Sequence, residues 1–125
     1  MSQVNFIFCL HNHQPVGNFD SVFEEAYKLA YEPFFAVADK FPEIKLCLHY
    51  SGPLLEWLEH THPKFISKLQ KGVADNRIEL LGGGFYEPIL TMLPDEDNIG
   101  QITMFSVYLK VRFGIRPRGL WLAEG

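Results

Sequence analysis

Two histidines and three glutamates stand out because each lies inside, or just beyond, a short apolar run: His11, His13, Glu79, Glu87 and Glu124. His11 and His13 are two apart, so in an extended segment their imidazoles point the same way, as zinc ligands would. The same pair can be hydrogen-bonded loop histidines, or neutral donors to sugar hydroxyls or to a charged intermediate. Spacing alone favours the hydrogen-bonded pair over a metal, since no compact third or fourth ligand is visible along the chain. Glu79 interrupts the apolar string Ile78-Glu79-Leu80-Leu81. A buried acid without partners is costly, so it either points to solvent or is held by hydrogen bonds for a purpose. Glu124 closes Leu120-Trp121-Leu122-Ala123. A carboxylate delivered at the end of a strand is placed to attack a substrate in a cleft, the alternative being a merely solvated acid. Glu87, before Pro88, reads as an exposed loop acid or as a group supporting the site from behind. Gly82-Gly83-Gly84 lacks the Gly-Lys-Ser/Thr ending of a phosphate loop and opens no helix, so the glycines are assigned to a sharp turn and a close backbone approach.

The elements that must position these groups alternate. Apolar runs at Val4–Leu10, Ile44–Leu48, Arg77–Leu81 and Gly119–Ala123 predict four strands. Between them, helical periodicity starts near Asp20, with Ser21 and Glu24 forming a capping box and Pro33 separating two helices, the second stopped by Pro42. Further helices are predicted over Leu54–Glu59, from Pro63 to a stop at Gly72, and over Asp95–Phe113 with Gly114 as terminator. Strands alternating with helices imply an α/β fold with a parallel sheet, in which chemistry collects at the carboxyl ends of the strands. Strand alternation puts Cys9 with His11, Cys47 with His49, Glu79 with Leu81 and Leu122 with Glu124 on one face, turned toward a shared cleft. The opposite face, with Phe6, Phe8, Leu46, Leu48, Ile78 and Leu80, suits packing under helices, and Trp121 is assigned to that packing side.

The chain has 125 residues, 47% of them hydrophobic, enough for one globular core. Eleven Lys and Arg against 15 Asp and Glu give a formal charge of −4, which offers no electrostatic attraction to nucleic acid or an anionic membrane. The apolar opening run is too short for a membrane span and lacks a basic leader. Cys9 and Cys47, without CxxC spacing, are expected to be buried reduced thiols, and the protein to be cytoplasmic. The final residues read as a strand end rather than a domain boundary, which suggests part of a larger domain.

Taken together, His11-Asn12-His13-Gln14-Pro15-Val16-Gly17-Asn18-Phe19, Glu79-Leu80-Leu81-Gly82-Gly83-Gly84-Phe85-Tyr86-Glu87-Pro88 and Gly119-Leu120-Trp121-Leu122-Ala123-Glu124 resemble glycoside hydrolase family 57. Three ordered motifs spanning the chain are far more specific than one, and the first is most similar to the 4-α-glucanotransferase and α-amylase branch. The resemblance implies an incomplete (β/α)7 TIM-like barrel, of which residues 1–125 form the N-terminal portion, about four βα units, with no second domain. It implies a retaining mechanism on α-1,4-glucans or maltooligosaccharides with two carboxylates. Glu124 matches the nucleophile, and His11, His13 and Glu79 match positions lining the donor-sugar subsite. It implies neither cofactor nor metal, which weakens the zinc reading of the histidines. Gly125 stands where the family usually has Arg, and the general acid/base Asp of a later strand has no counterpart in these residues. The chain alone is therefore expected to lack turnover, and to self-associate through an apolar sheet edge around Leu120 to Ala123. Two readings from other classes stay open at this point. One is a metal-dependent polysaccharide deacetylase or mannosidase-like hydrolase, and the other a non-catalytic glucan-binding fragment.

Overall fold

The computed structural model describes residues 1–124; Gly125, read above as a departure from the family pattern, lies outside the described residues. Three parallel strands form one sheet in the order β1-β2-β3: β1 is Cys9–Asn12, β2 Leu46–Tyr50 and β3 Ile78–Leu80. Between and after them come α1 (Asp20–Ala26), α2 (Glu32–Ala38), α3 (Gly52–Thr61), α4 (Pro63–Ala74) and α5 (Asp95–Phe113). The register aligns Cys9 with Cys47 and His11 with His49, and in turn Cys47 with Glu79. One face of the sheet is thus the row of Leu46, Leu48, Tyr50, Ile78 and Leu80, all buried under helices with Phe35, Leu58, Phe65 and Leu69. The other face carries the cysteines, His11, His49 and Glu79. This sorting follows the predicted alternation, because a one-residue slip would turn the whole apolar row to solvent.

Several boundaries differ from the prediction. The first strand begins only at Cys9. Phe6 is 85% exposed and Phe8 partly so, because the helix layer ends with α2 and reaches the strand's beginning only along a groove lined by Phe34, Val37, Phe41 and Ile44. The fourth predicted strand is reduced to a single parallel bridge between Gly82 and Leu120. Gly82 N–H donates to the Gly119 carbonyl (2.9 Å) and Trp121 N–H to the Gly82 carbonyl (3.0 Å). Beyond that point the glycine turn leaves the following residues no ladder to join. The second helix starts at Glu32 with Pro33 in its first turn, as predicted, but a π-helical turn over Tyr27–Tyr31 joins it to α1 without a break, and it ends at Ala38, short of Pro42. Proline has no N–H for Leu29 and its ring crowds that carbonyl, and the wider turn absorbs the misfit. The capping box does not form either. Phe19 is the N-cap, and the Glu24 carboxylate instead meets His62 Nε2 at 2.7 Å. Gly72 lies inside α4, where a Cβ would collide with Ile78, so it serves close helix–strand contact; Asn76, with φ 60°, makes the turn that follows. The helix over Asp95–Phe113 is as predicted, with acidic residues in its first turn and Gly114 left-handed at its end. Of the two thiols, Cys9 is exposed and Cys47 half-buried, so neither is fully buried as expected. Among the described residues no helix is long and apolar enough to cross a membrane.

Candidate active site

The carboxyl ends of β1 and β2 place His11 beside His49, and the His11 ring is wedged between partners. Its Nδ1 is 2.9 Å from His49 Nδ1, and its Nε2 is 2.8 Å from Glu87 Oε1. The other Glu87 oxygen is 2.6 Å from His13 Nδ1. Trp121 covers the arrangement, stacked on His11 with ring centres 4.3 Å apart and planes within 6°. The sequence assignment of Trp121 to the helix-packing side is corrected. With only one bridge to set its direction, the segment after Leu120 is free to turn its indole onto the histidines.

Each support has a local cause. After β1 the chain is tied back by Asn12, whose Nδ2 donates to the His49 carbonyl, and by Gln14, which donates to Tyr31 Oη and accepts from Asn18 Nδ2. The polar residues of the first motif thus shape the loop that presents His13. Glu87 is carried by the turn after the glycines. Gly83 has φ 137° and lies against the Trp121 carbonyl, an approach that leaves no room for a Cβ. Phe85, buried against Phe105 and Tyr108 of α5, anchors the turn, and its carbonyl accepts from Gly52 N–H at 2.9 Å. Tyr86 N–H donates to Gln101 Oε1. Glu87 itself adopts φ 54°, a left-handed conformation uncommon for a glutamate, and its side chain is 8% exposed. It is not the exposed loop acid that sequence allowed.

Burial dominates the electrostatics. His49, 1% exposed, has its pKa lowered to about 3 by desolvation, with the neighbouring His11 and His13 adding to the effect. His11 is lowered by desolvation and by His13, and His13 by desolvation. Desolvation, assisted by the charge of Glu124, raises Glu87 to about 7. The contacts between Glu87 and the imidazoles are therefore close polar contacts of neutral rings rather than full ion pairs.

Of the predicted site residues, His11 and His13 come together on Glu87, and Glu124 is near enough for its charge to be felt there. Glu79 shares their sheet face but stands one pleat back, level with Cys47, and borders grooves with Lys45, Asn76 and Arg118. From sequence His49 was placed on the cleft face without a role and Glu87 was left between a loop acid and a supporting group; both are members of the cluster. His49 had a visible signal, its place two residues after Cys47 at a strand end. Glu87 had none beyond its motif, because its burial depends on a turn conformation and on α5. With His11 and His49, Glu87 also makes a set whose ligand atoms lie within 4.8 Å of one another, the third partner that spacing could not reveal.

The chain matches the family model described as "Glycosyl hydrolase family 57" over residues 7–125. It is 45% identical to the 4-alpha-glucanotransferase of Thermococcus litoralis over 99% of its own length and 19% of that protein's. It is also 45% identical to an alpha-amylase of Pyrococcus furiosus and 46% identical to alpha-amylase 1 of Dictyoglomus thermophilum, covering 98% and 97% of this chain, and 19% and 18% of theirs. The crystal structure of the T. litoralis enzyme superimposes with a TM-score of 0.94 over 99% of this chain and 19% of that one. A branching enzyme from Thermococcus kodakaraensis, 16% identical, shares the fold with a TM-score of 0.74 over 94% of this chain and 32% of that one. The chain thus spans about a fifth of the length of the curated relatives it matches. By its family match and its three motifs, it belongs to glycosyl hydrolase family 57.

Proposed function

We propose that residues 1–125 form the N-terminal portion of a glycosidase barrel, an incomplete (β/α)7 fold, acting on α-1,4-glucans by hydrolysis or transfer with retention of configuration. Glu124 attacks the anomeric carbon and forms the glycosyl-enzyme intermediate, while His11, His13 and Glu79 line the donor-sugar subsite. The observation that carries the reading is the gathering of His11 and His13 on Glu87, with Trp121 stacked on His11, at the carboxyl ends of the strands and within reach of the Glu124 charge. Aromatic rings beside imidazoles offer a sugar both an apolar face and hydroxyl partners. Relatives named 4-alpha-glucanotransferase and alpha-amylase support the substrate class. Two free thiols fit a reducing, cytoplasmic setting.

The general acid/base is supplied by residues outside this chain, so the test uses a family-length protein carrying this segment. Glu124→Gln is expected to lower the rate of maltooligosaccharide disproportionation on the order of 10⁴-fold or more. A near-normal rate would refute the assignment.

A further inference from the structure

His11 has no nitrogen left for a ligand. One faces His49 and the other faces Glu87, while a face of the ring is covered by Trp121. His13 differs: its Nδ1 lies against Glu87, its ring is 30% exposed, and among the described residues its Nε2 has no hydrogen-bond partner. We infer that Glu87 and His49 are positioning residues that fix the protons of the cluster, holding His11 protonated on Nε2 and His13 on Nδ1. His13 Nε2 is then the one nitrogen of the His11–His13 pair that accepts a hydrogen bond from a ligand hydroxyl. That the hydroxyl belongs to a sugar rests on the function proposed above; the proton arrangement does not.

The placement follows from donor and acceptor inventory. An ionised carboxylate only accepts, so the His11 nitrogen facing Glu87 carries the proton, and in a neutral ring the other nitrogen then bears a lone pair. The facing His49 Nδ1, 2.9 Å away, must be the donor, because two lone pairs or two N–H groups at that distance repel. His13 Nδ1 and Glu87 Oε2 are buried without any other partner and 2.6 Å apart, so each is the other's sole polar neighbour, although the angle falls short of a well-directed bond. A left-handed backbone and a buried carboxylate are both costly at Glu87, where glycine would relieve both. Their joint presence is what a required side chain explains. Each Glu87 oxygen faces an imidazole nitrogen within 2.8 Å, which turns the carboxyl toward the histidines rather than toward a glycosidic oxygen. The His11–His49–Glu87 ligand atoms lie within 4.8 Å of one another, but His11 turns opposite nitrogens to its two partners, so an ion shared by all three would have to displace one of those contacts.

Long-range ¹H–¹⁵N correlation spectra of the histidine rings test this on the 125-residue chain without ligand, at a pH above the value to which Glu87 is raised. The expected pattern is a pyrrole-type Nε2 in His11 and pyrrole-type Nδ1 in His13 and His49. Free imidazole favours Nε2–H, so two of the three assignments run against the default. Glu87→Ala is expected to return His13 to the Nε2–H form, and Glu87→Gln, with one oxygen acceptor, to preserve only one of the two contacts. Equimolar zinc is expected to leave the His11 shifts unchanged. Nδ1–H in His11, Nε2–H in His13 of the unmodified chain, or displacement of the His11 proton by zinc would each overturn the inference, and the wild-type spectrum decides if the variants fail to fold. Because the readout is taken on the free chain, absence of glucan binding would count against the proposed function alone.

Discussion

His49 and Glu87 are buried side by side with His11 between them, and their protonation pulls stability in opposite directions. Unfolded, His49 takes up a proton below its ordinary value of 6.5; folded, it stays neutral down to about 3. The folded state therefore loses stability as pH falls through that window, by at most about 1.4 kcal/mol per pH unit. Glu87, raised from 4.5 to about 7, holds a proton that the unfolded chain has already released, so its contribution falls as pH rises between those values. The slopes of His49 and Glu87 oppose each other between roughly pH 4.5 and 6.5, with the lowered His11 and His13 acting in the His49 direction, and beneath that range Glu87 no longer offsets His49. Urea unfolding as a function of pH is expected to show a plateau followed by a fall on the acid side, with His49→Gln flattening the fall. An unchanged acid slope in the variant would contradict the assignment. At this scale the sequence was legible where a type and a face sufficed. His11 and His13 were found as a pair, and Glu79 was found on their sheet face. What it withheld was contact. The meeting of His11 with His49 needs the register of two strands 38 residues apart in sequence, and that of both histidines with Glu87 needs a turn that no local pattern announces.

Among the elements, the glycine turn after β3 controls the site because it brings Glu87 and Trp121 to the same place. A Cβ on Gly83 would lie 2.9 Å from the Trp121 carbonyl, and its φ of 137° disfavours any side chain. Gly83→Ala is thus predicted to lift the indole off His11, read as a change in the Trp121 indole N–H resonance; an unperturbed resonance would contradict the stacking. Gly52 opens α3 against the ring of Phe85, with a Cβ built there 2.6 Å from that ring. Gly52→Ala is predicted to cost about 1–3 kcal/mol by overpacking, measured by urea unfolding, and a loss within error of zero would show that Phe85 has room to move. Helix α5, with strong signals at both ends, was legible to the residue. Strand extent at β1 and after Leu120 depends on what neighbours offer to pair with, and α1 starts with Phe19 as N-cap, which puts Ser21 inside the helix and leaves Glu24 to meet His62.

Across the whole molecule, a three-stranded parallel sheet is covered by helices on one face, while Val4, Phe6 and Ile7 at its amino end remain exposed. The association expected through an edge around Leu120 to Ala123 loses its strand, since that segment makes a single bridge; the apolar surface next to the edge of β1 that no described strand pairs is the alternative that favours association. Sedimentation velocity is expected to show concentration-dependent growth in mass, reduced by Phe6→Asp; a monomer at every concentration would contradict it. The α/β class and its parallel order were legible from the alternation of elements, and the family from three motifs whose residues now have distinct tasks. Gln14 and Asn18 shape a loop, Gly83 admits Trp121, and Glu87 holds two imidazoles. Three glutamates at this sheet therefore have three different roles in the account, and only Glu124 is assigned a covalent one. A family-length protein carrying this segment, treated with an activated fluorinated α-glucosyl fluoride and digested for peptide mass mapping, tests that division directly. A single glycosyl ester on Glu124 is expected, whereas an ester on Glu79 or Glu87, or none at all, would refute the assignment of Glu124 as nucleophile.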